Sequence, residues 1–130
     1  MELDSSQGRE TFFPSSIDGN HLKQSPDLLP GTLDLLVLRT LARGSLHGYG
    51  IAQRVKQTSR DVLEVGESAL YPALQRLLLD GCVKAEWGVS ENNRRARYYT
   101  LTAKGQKRLA AERKEFEQIV SAIQLVLANA

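Results

Sequence analysis

Four leucines, at positions 70, 74, 77 and 78, pattern the segment GESALYPALQRLLLDG, residues 66–81. Spacings of four, seven and eight place them on one face of a helix. The opposite face then carries Ser68, Ala69, Tyr71, Gln75 and Arg76. Ser68 is the expected N-cap, which leaves Pro72 near the end of the first turn, where a proline does least damage. Asp80 and Gly81 supply a glycine stop. Upstream, Leu35, Leu36, Leu38 and Leu41 describe a strongly apolar helix, capped by Thr32 and ending near Arg43 and Gly44. A helix this apolar belongs in a core or an interface. Residues 45–50, SLHGYG, read as a tight turn into a second helix carrying Ile51, Ala52 and Val55. Residues 58–65 connect it to the leucine-patterned helix, and Leu63, Glu64 and Val65 suggest a very short strand.

After Gly81 the period changes from helical to alternating. Residues 82–87, CVKAEW, read as a half-buried strand. Residues 88–95 are polar and turn-forming, with Asn92 and Asn93 near the tip, and residues 97–101, RYYTL, favour a second strand. The two form a hairpin with Arg94, Arg95 and Arg97 within four residues. Thr102 is the expected cap of a long last helix. Along it Leu109, Phe116, Val120, Ile123 and Leu127 recur at seven, four, three and four, the apolar seam of a helix that packs along another helix.

Residues 1–27 differ from all this. Ser, Gln, Gly, Asn, Asp and Pro are frequent there, and apolar residues are scattered, so a poorly ordered tail is expected. Phe12, Phe13 and Ile17 are the exceptions and could dock on a neighbouring surface. The expected organisation is a tail over 1–27, a domain over 28–101 and a C-terminal helix over 102–130.

Length and composition fit one soluble globular domain with a modest core. The start, MELDSSQGRE, is acidic and lacks an apolar leader region, and no apolar run approaches a bilayer span. A single cysteine, Cys82, forbids an internal disulfide, so a cytoplasmic location is expected, away from membranes. The net charge is only +2, but the tail holds Glu2, Asp4, Glu10, Asp18 and Asp27 against Arg9 and Lys23. Two minus five is −3, which leaves +5 on the remainder. A basic body with an acidic tail suits a polyanionic partner, although a small basic excess also serves solubility alone.

Little in the chain speaks for catalysis. His21 and His47 are the only histidines, and neither lies at metal-ligand spacing from a second histidine or a cysteine. His47 reads as a turn or capping residue. Gly48 and Gly50 lack the third glycine and preceding strand of a phosphate loop. Neither a metal nor a cofactor is expected, and the chain is not read as an enzyme.

The order of elements matches a winged helix-turn-helix: mainly α, with a small β-hairpin as wing and a long C-terminal dimerisation helix. In that arrangement Tyr71, Gln75 and Arg76 can reach base edges, glutamine pairing with adenine and arginine with guanine. Arg94, Arg95 and Arg97 suit a narrow minor groove. Arg39, Arg43, Arg54, Lys56, Arg60, Lys104 and Lys107 are candidates for phosphate contacts. Each has a plainer alternative. Arg76 could pair with Asp80 one turn on, Tyr71 could be a core aromatic, and the wing arginines could be a solvated turn. The seam could pack on its own domain instead of a second chain.

Three motifs carry a family resemblance: PGTLDLLVLRTLARGSLHGYGIAQRV over 30–55, GESALYPALQRLLLDGCV over 66–83 and RRARYYTLTAKGQKRL over 94–109. In these, the chain resembles the PadR family of bacterial transcriptional regulators, over most of residues 28–127. The resemblance implies a homodimeric winged-helix repressor that binds a pseudo-palindromic double-stranded DNA operator. A small aromatic effector is the further partner it allows. It implies that Ser68, Tyr71, Pro72, Gln75 and Arg76 belong to the recognition helix, and that Arg94, Arg95 and Arg97 belong to the wing; Lys104, next to the wing in sequence, joins them as a candidate for backbone contact on its own charge and position. Thr102 and Gly105 open the helix whose Leu109, Phe116, Val120, Ile123 and Leu127 form the dimer seam. The chain departs from the pattern at Gly50, where an acid is common, and at Asn92 and Asn93, which replace the usual tip glycine. It also has no tryptophan on the last helix to stack on a flat ligand. A winged-helix module that binds protein and no longer reads DNA is the alternative from another functional class.

Overall fold

The structure is a computed structural model and describes residues 31–130. The expected tail, with Phe12, Phe13 and Ile17, lies outside the described residues. The elements run α1 (Thr32–Leu41), β1 (Leu46–His47), α2 (Gly48–Thr58), α3 (Glu67–Leu79), β2 (Val83–Val89), β3 (Arg95–Leu101) and α4 (Ala103–Asn129). Three helices and a small antiparallel sheet, ordered β1-β3-β2, form the body, and α4 extends from it.

The core forms where the leucine faces of the helices meet the sheet. Val37, Leu38 and Leu41 of α1, Ile51 of α2, Leu70, Leu74 and Leu77 of α3, then Cys82, Val83 and Tyr99, are buried together. Burying each large aliphatic side chain stabilises the fold by about 1.5–3 kcal/mol. The predicted face of α3 is therefore the buried one, with Ala73 added and Leu78 only partly covered.

Helix starts differ from expectation in a consistent way. Thr32 does not cap α1: Gly31 takes that place, in a left-handed conformation and with no side-chain bond. Ser68 does not cap α3 either. Gly66 is the N-cap, its carbonyl accepting from the Leu70 N–H (3.0 Å), and Glu67 already lies in the helix. An acid there faces the positive end of the helix dipole. Pro72 consequently sits two residues deeper in the helix than predicted, on the exposed face, and cannot donate the backbone bond that its position would otherwise make. The expected caps elsewhere are present. His47 Nδ1 accepts from the Gly50 N–H (3.0 Å), and Thr102 Oγ1 accepts from the Gly105 N–H (3.1 Å).

The end of α3 is a full Schellman turn. Gly81, at φ +76°, donates to Leu78 (3.1 Å), and Cys82 donates to Leu77 (2.9 Å). This turn is also where α4 attaches. The Thr102 N–H donates to the Cys82 carbonyl (3.0 Å), and the Thr102 hydroxyl donates to the Gly81 carbonyl (2.7 Å).

The third strand was not where the sequence suggested. Residues 63–65 form no strand; Leu46 and His47 pair instead with Tyr99 and Tyr98. Two residues are too few to show a period, and their partner lies far along the chain. The glycines Gly48 and Gly50, expected in a turn, stand in the first turn of α2. The hairpin is also longer than predicted. Gly88 pairs with Ala96 and Val89 with Arg95, and the Tyr98 ring lies where a side chain on Gly88 would be, 3.1 Å from a built Cβ. Cys82 is a buried corner before the strand rather than part of it.

Candidate nucleic-acid interface

On α3, Ser68, Tyr71, Pro72, Gln75 and Arg76 are all exposed, on the side away from the leucines. The structure thus brings the five predicted residues together on one surface. Two of them have additional ties. Tyr71 is 37% exposed, and its hydroxyl lies so near α2 that a Cβ on Gly48 would come within 2.6 Å of it. Gly48 is what lets α2 and α3 approach at this point, so Tyr71 is anchored at one edge while its other edge faces outward.

Arg76 is paired, but not with Asp80. Its Nη2 donates to Asp34 Oδ1 of α1 (2.9 Å). Asp34 is the one buried charged residue among those described, 6% exposed in the first turn of the apolar α1. Its other oxygen accepts from Arg108 Nη2 of α4 (3.3 Å). Arg108 also donates to Asp80 (3.1 Å) and to Glu112 (2.6 Å), and lies 3.8 Å from the Cys82 sulfur. The bond to Glu112 above all raises the pKa of its guanidinium further, so it is charged under all ordinary conditions. This network joins α1, α3 and α4, and sequence reading missed it. The signal was an acid, Asp34, inside an otherwise apolar helix face.

In the hairpin, the turn closes with Asn93 donating to Ser90 (2.8 Å) and Ser90 donating to Arg94 (2.8 Å). Asn93 has φ +60°, so it supplies the left-handed residue that glycine usually supplies in such a tip. Arg94, Arg95 and Arg97 are exposed. Arg95 and Arg97 share one face of the sheet with Trp87 and Tyr99. The Arg95 guanidinium lies 4.2 Å from the centre of the Trp87 ring, and that of Arg97 lies 5.9 Å from Tyr99. Stacking of this kind holds a long side chain extended without neutralising its charge. On the other face His47 meets Tyr98 (ring centres 5.2 Å apart), and His47 Nε2 lies 3.8 Å from Glu91 at the tip. The Trp87–Arg95 pair could have been found from parity, since residues two apart in a paired strand share a face.

Of the phosphate candidates, Arg39, Arg43, Arg60, Lys104 and Lys107 are exposed and Arg54 is partly so. Lys56 pairs with Glu64 (3.2 Å). Lys104 lies beside the Schellman turn, its stem 3.8 Å from a Cβ built on Gly81.

The seam residues of α4 divide into two groups. Leu109 packs against the core of its own chain. Phe116 (38%), Ile123 (48%) and Leu127 (78%) are exposed and Val120 is partly covered. Ile119 and Val126, not in the predicted seam, widen the same stripe. Among the described residues no group of three or more His, Cys, Asp or Glu side chains could hold a metal ion, and no helix is long and apolar enough to cross a membrane.

The transcriptional regulator PadR-like family matches residues 37–111. An uncharacterised protein of Lysinibacillus sphaericus is 27% identical over 101 residues, 78% of this chain and 93% of the relative. A transcriptional regulator from Clostridium thermocellum is similar in structure with a TM-score of 0.66 at 29% identity, covering 72% of this chain and 91% of its own. A PadR family transcription regulator from Clostridium difficile gives 0.63 at 26% identity, covering 75% and 99%.

Proposed function

This chain belongs to the PadR-like family of transcriptional regulators, and from that premise we propose that it is a homodimeric repressor of a pseudo-palindromic DNA operator. Binding DNA to regulate transcription is the family's activity; the repressor role, the dimer and the contacts are our reading. The observation that carries it is the exposed polar face of α3 on a body that also displays the arginine hairpin.

In this reading α3 enters the major groove. Gln75 and Ser68 meet base edges or phosphates, Pro72 and Tyr71 supply apolar contact, and Arg76 reaches the rim. Arg94, Arg95 and Arg97 follow the adjacent minor groove or backbone, and Lys104 adds a phosphate contact. One such module makes few base contacts. A second copy, joined through Phe116, Val120, Ile123 and Leu127 of α4, doubles them and reads half-sites about 34 Å apart. Leu109 then belongs to the root of α4, where the helix leaves its own core. With 27 residues α4 is about 40 Å long, and its outer two-thirds carries apolar side chains that no other described element covers.

Mobility shift against genomic fragments at two salt concentrations tests this reading. Retarded fragments whose affinity falls steeply with salt are expected; no retarded fragment at low salt would sink it. The exposed apolar stripe on α4 also supports control by a small aromatic effector bound between the paired helices. A thermal-shift screen of such molecules should then give a hit that also releases DNA, and a screen without one leaves the repressor uncontrolled by this route. The rival protein-binding module predicts instead that no duplex binds while a protein partner does, and that the partner is lost on Arg94→Ala and Arg95→Ala.

A further inference from the structure

We propose that Arg76 changes partner when DNA binds, leaving Asp34 for a backbone phosphate, and that Asp34 is thereby a positioning residue that restrains affinity for every duplex. The proposal rests on the DNA-binding reading above. It comes from an asymmetry in the charged network. Asp34 is buried and has two arginine partners, Arg76 at 2.9 Å and Arg108 at 3.3 Å. A buried carboxylate stripped of its only partner is strongly unfavourable, and a sole partner would therefore be held fast. With two, either one can leave.

The surroundings decide which. The Arg108 side chain is 29% exposed and also bonds Asp80 and Glu112, so it is held by three acids on three elements. The Arg76 side chain is 57% exposed and bonds Asp34 through one nitrogen only. Arg76 also follows Gln75 on the outward face of α3, where phosphates flanking the groove would lie. Arg108 keeps Asp34 neutralised after Arg76 departs, so the exchange leaves no bare buried charge. The bond given up is a partly exposed ion pair, and the one gained is a charge-assisted bond to phosphate. The exchange is thus nearly balanced, and the cost of breaking the first bond is subtracted from binding to any DNA. Because phosphates carry no sequence information, the restraint acts alike on operator and non-operator duplexes.

The test is a double-mutant cycle on DNA affinity. Asp34→Asn should tighten binding to a mixed-sequence duplex and to a retained genomic fragment alike, by roughly two- to fivefold. Most of that gain should vanish in the Arg76→Gln background, where only the general effect of one fewer negative charge remains. A gain that persists with Arg76→Gln overturns the proposal, and so does a gain confined to one sequence, which would make Arg76 a base reader. If Asp34→Asn does not fold, the unaltered protein serves. On titration with the mixed-sequence duplex, the side-chain nitrogen resonances of Arg76 should shift while those of Arg108 stay. Binding with the Arg76 signals unmoved overturns the proposal alone. Failure of any duplex to bind at low salt removes the DNA-binding reading and this proposal with it.

Discussion

Gly105, in the first turn of α4, packs directly on the Cys82 carbonyl at the end of the turn that closes α3. A Cβ at position 105 would overlap that oxygen and come within 2.6 Å of a Leu101 methyl. The obstacle is backbone, and it cannot rotate aside. The same carbonyl already accepts from the Thr102 N–H (3.0 Å), so the corner is tied from two sides. Gly105→Ala should therefore destabilise the protein by at least the 1–3 kcal/mol typical of an overpacked core, read as a lowered denaturation midpoint. It should also weaken DNA binding, because the junction sets how α4 meets α3. A variant as stable as the parent would mean that the junction opens freely.

Gly48 makes a useful contrast. The built Cβ there meets the Tyr71 hydroxyl (2.6 Å) and ring, the far end of a side chain that can turn. Alanine also improves helix propensity by up to about 1 kcal/mol over glycine. Gly48→Ala should thus cost much less stability than Gly105→Ala, yet it must displace Tyr71 on the proposed recognition surface. The expected result is a near-normal denaturation midpoint with weakened operator binding. Unchanged affinity would show that Tyr71 is dispensable at that surface.

These contacts mark what the sequence could and could not disclose. The leucine spacing of α3, the alternation of the hairpin strands and the caps at His47 and Thr102 are local signals, and each produced its element. Ser68 and Thr32 failed as caps because a glycine just before each helix took the position, and propensity alone does not choose between neighbours. The strand at Leu46 and His47 exists only through pairing with β3, more than fifty residues on. Asp34 likewise draws its meaning from Arg76 and Arg108, 42 and 74 residues away. The exposed face of α3 was legible because burial on one side of a helix implies the other. Which of its residues are tied to neighbours was not.

Tyr99 links stability to alkaline pH. It is 6% exposed, and burial raises its phenol above the ordinary 10.0, with nearby Arg97 pulling partly the other way. Tyr98 shifts in the same direction through burial and Glu91. A folded-state pKa above the unfolded one means the folded state keeps protons that the unfolded state has lost. The stabilisation is therefore complete below about pH 10 and is lost as pH rises through the folded value. Urea denaturation on either side of that window should show the fall, and Tyr99→Phe should reduce it. An equal fall in Tyr99→Phe would assign the effect to other groups.

The α4 stripe should separate assembly from folding. Phe116 and Ile123 are exposed on the single chain, so Phe116→Glu or Ile123→Glu should leave the secondary structure of the body unchanged, with only the stability that pairing adds by mass action lost. Each places a charge in the proposed interface between copies, where an unpaired charge is strongly unfavourable. Sedimentation should show the mass of two chains falling to that of one, and operator binding should fall with it. A dimer that survives both substitutions would place the interface elsewhere.

Trp87 offers a direct view of the wing, because it is the only tryptophan in the chain and is 48% exposed under Arg95. A guanidinium 4.2 Å from the ring centre is part of the environment that sets its emission. If Arg95 enters a groove or meets a phosphate, that environment changes, so DNA titration should alter the Trp87 fluorescence in step with the mobility shift. Arg95→Ala should weaken binding about equally for all sequences and lower the salt slope by about one, as expected for the loss of one phosphate contact. Trp87→Leu removes the platform but keeps the charge. It should leave the slope intact and cost only what a partly exposed cation–π contact contributes, about 0.5–1 kcal/mol or a few-fold in affinity. If Arg95→Ala leaves both affinity and slope unchanged, the hairpin arginine at 95 is held by Trp87 for the sake of the wing itself, and the DNA contacts of the hairpin fall to Arg94 and Arg97.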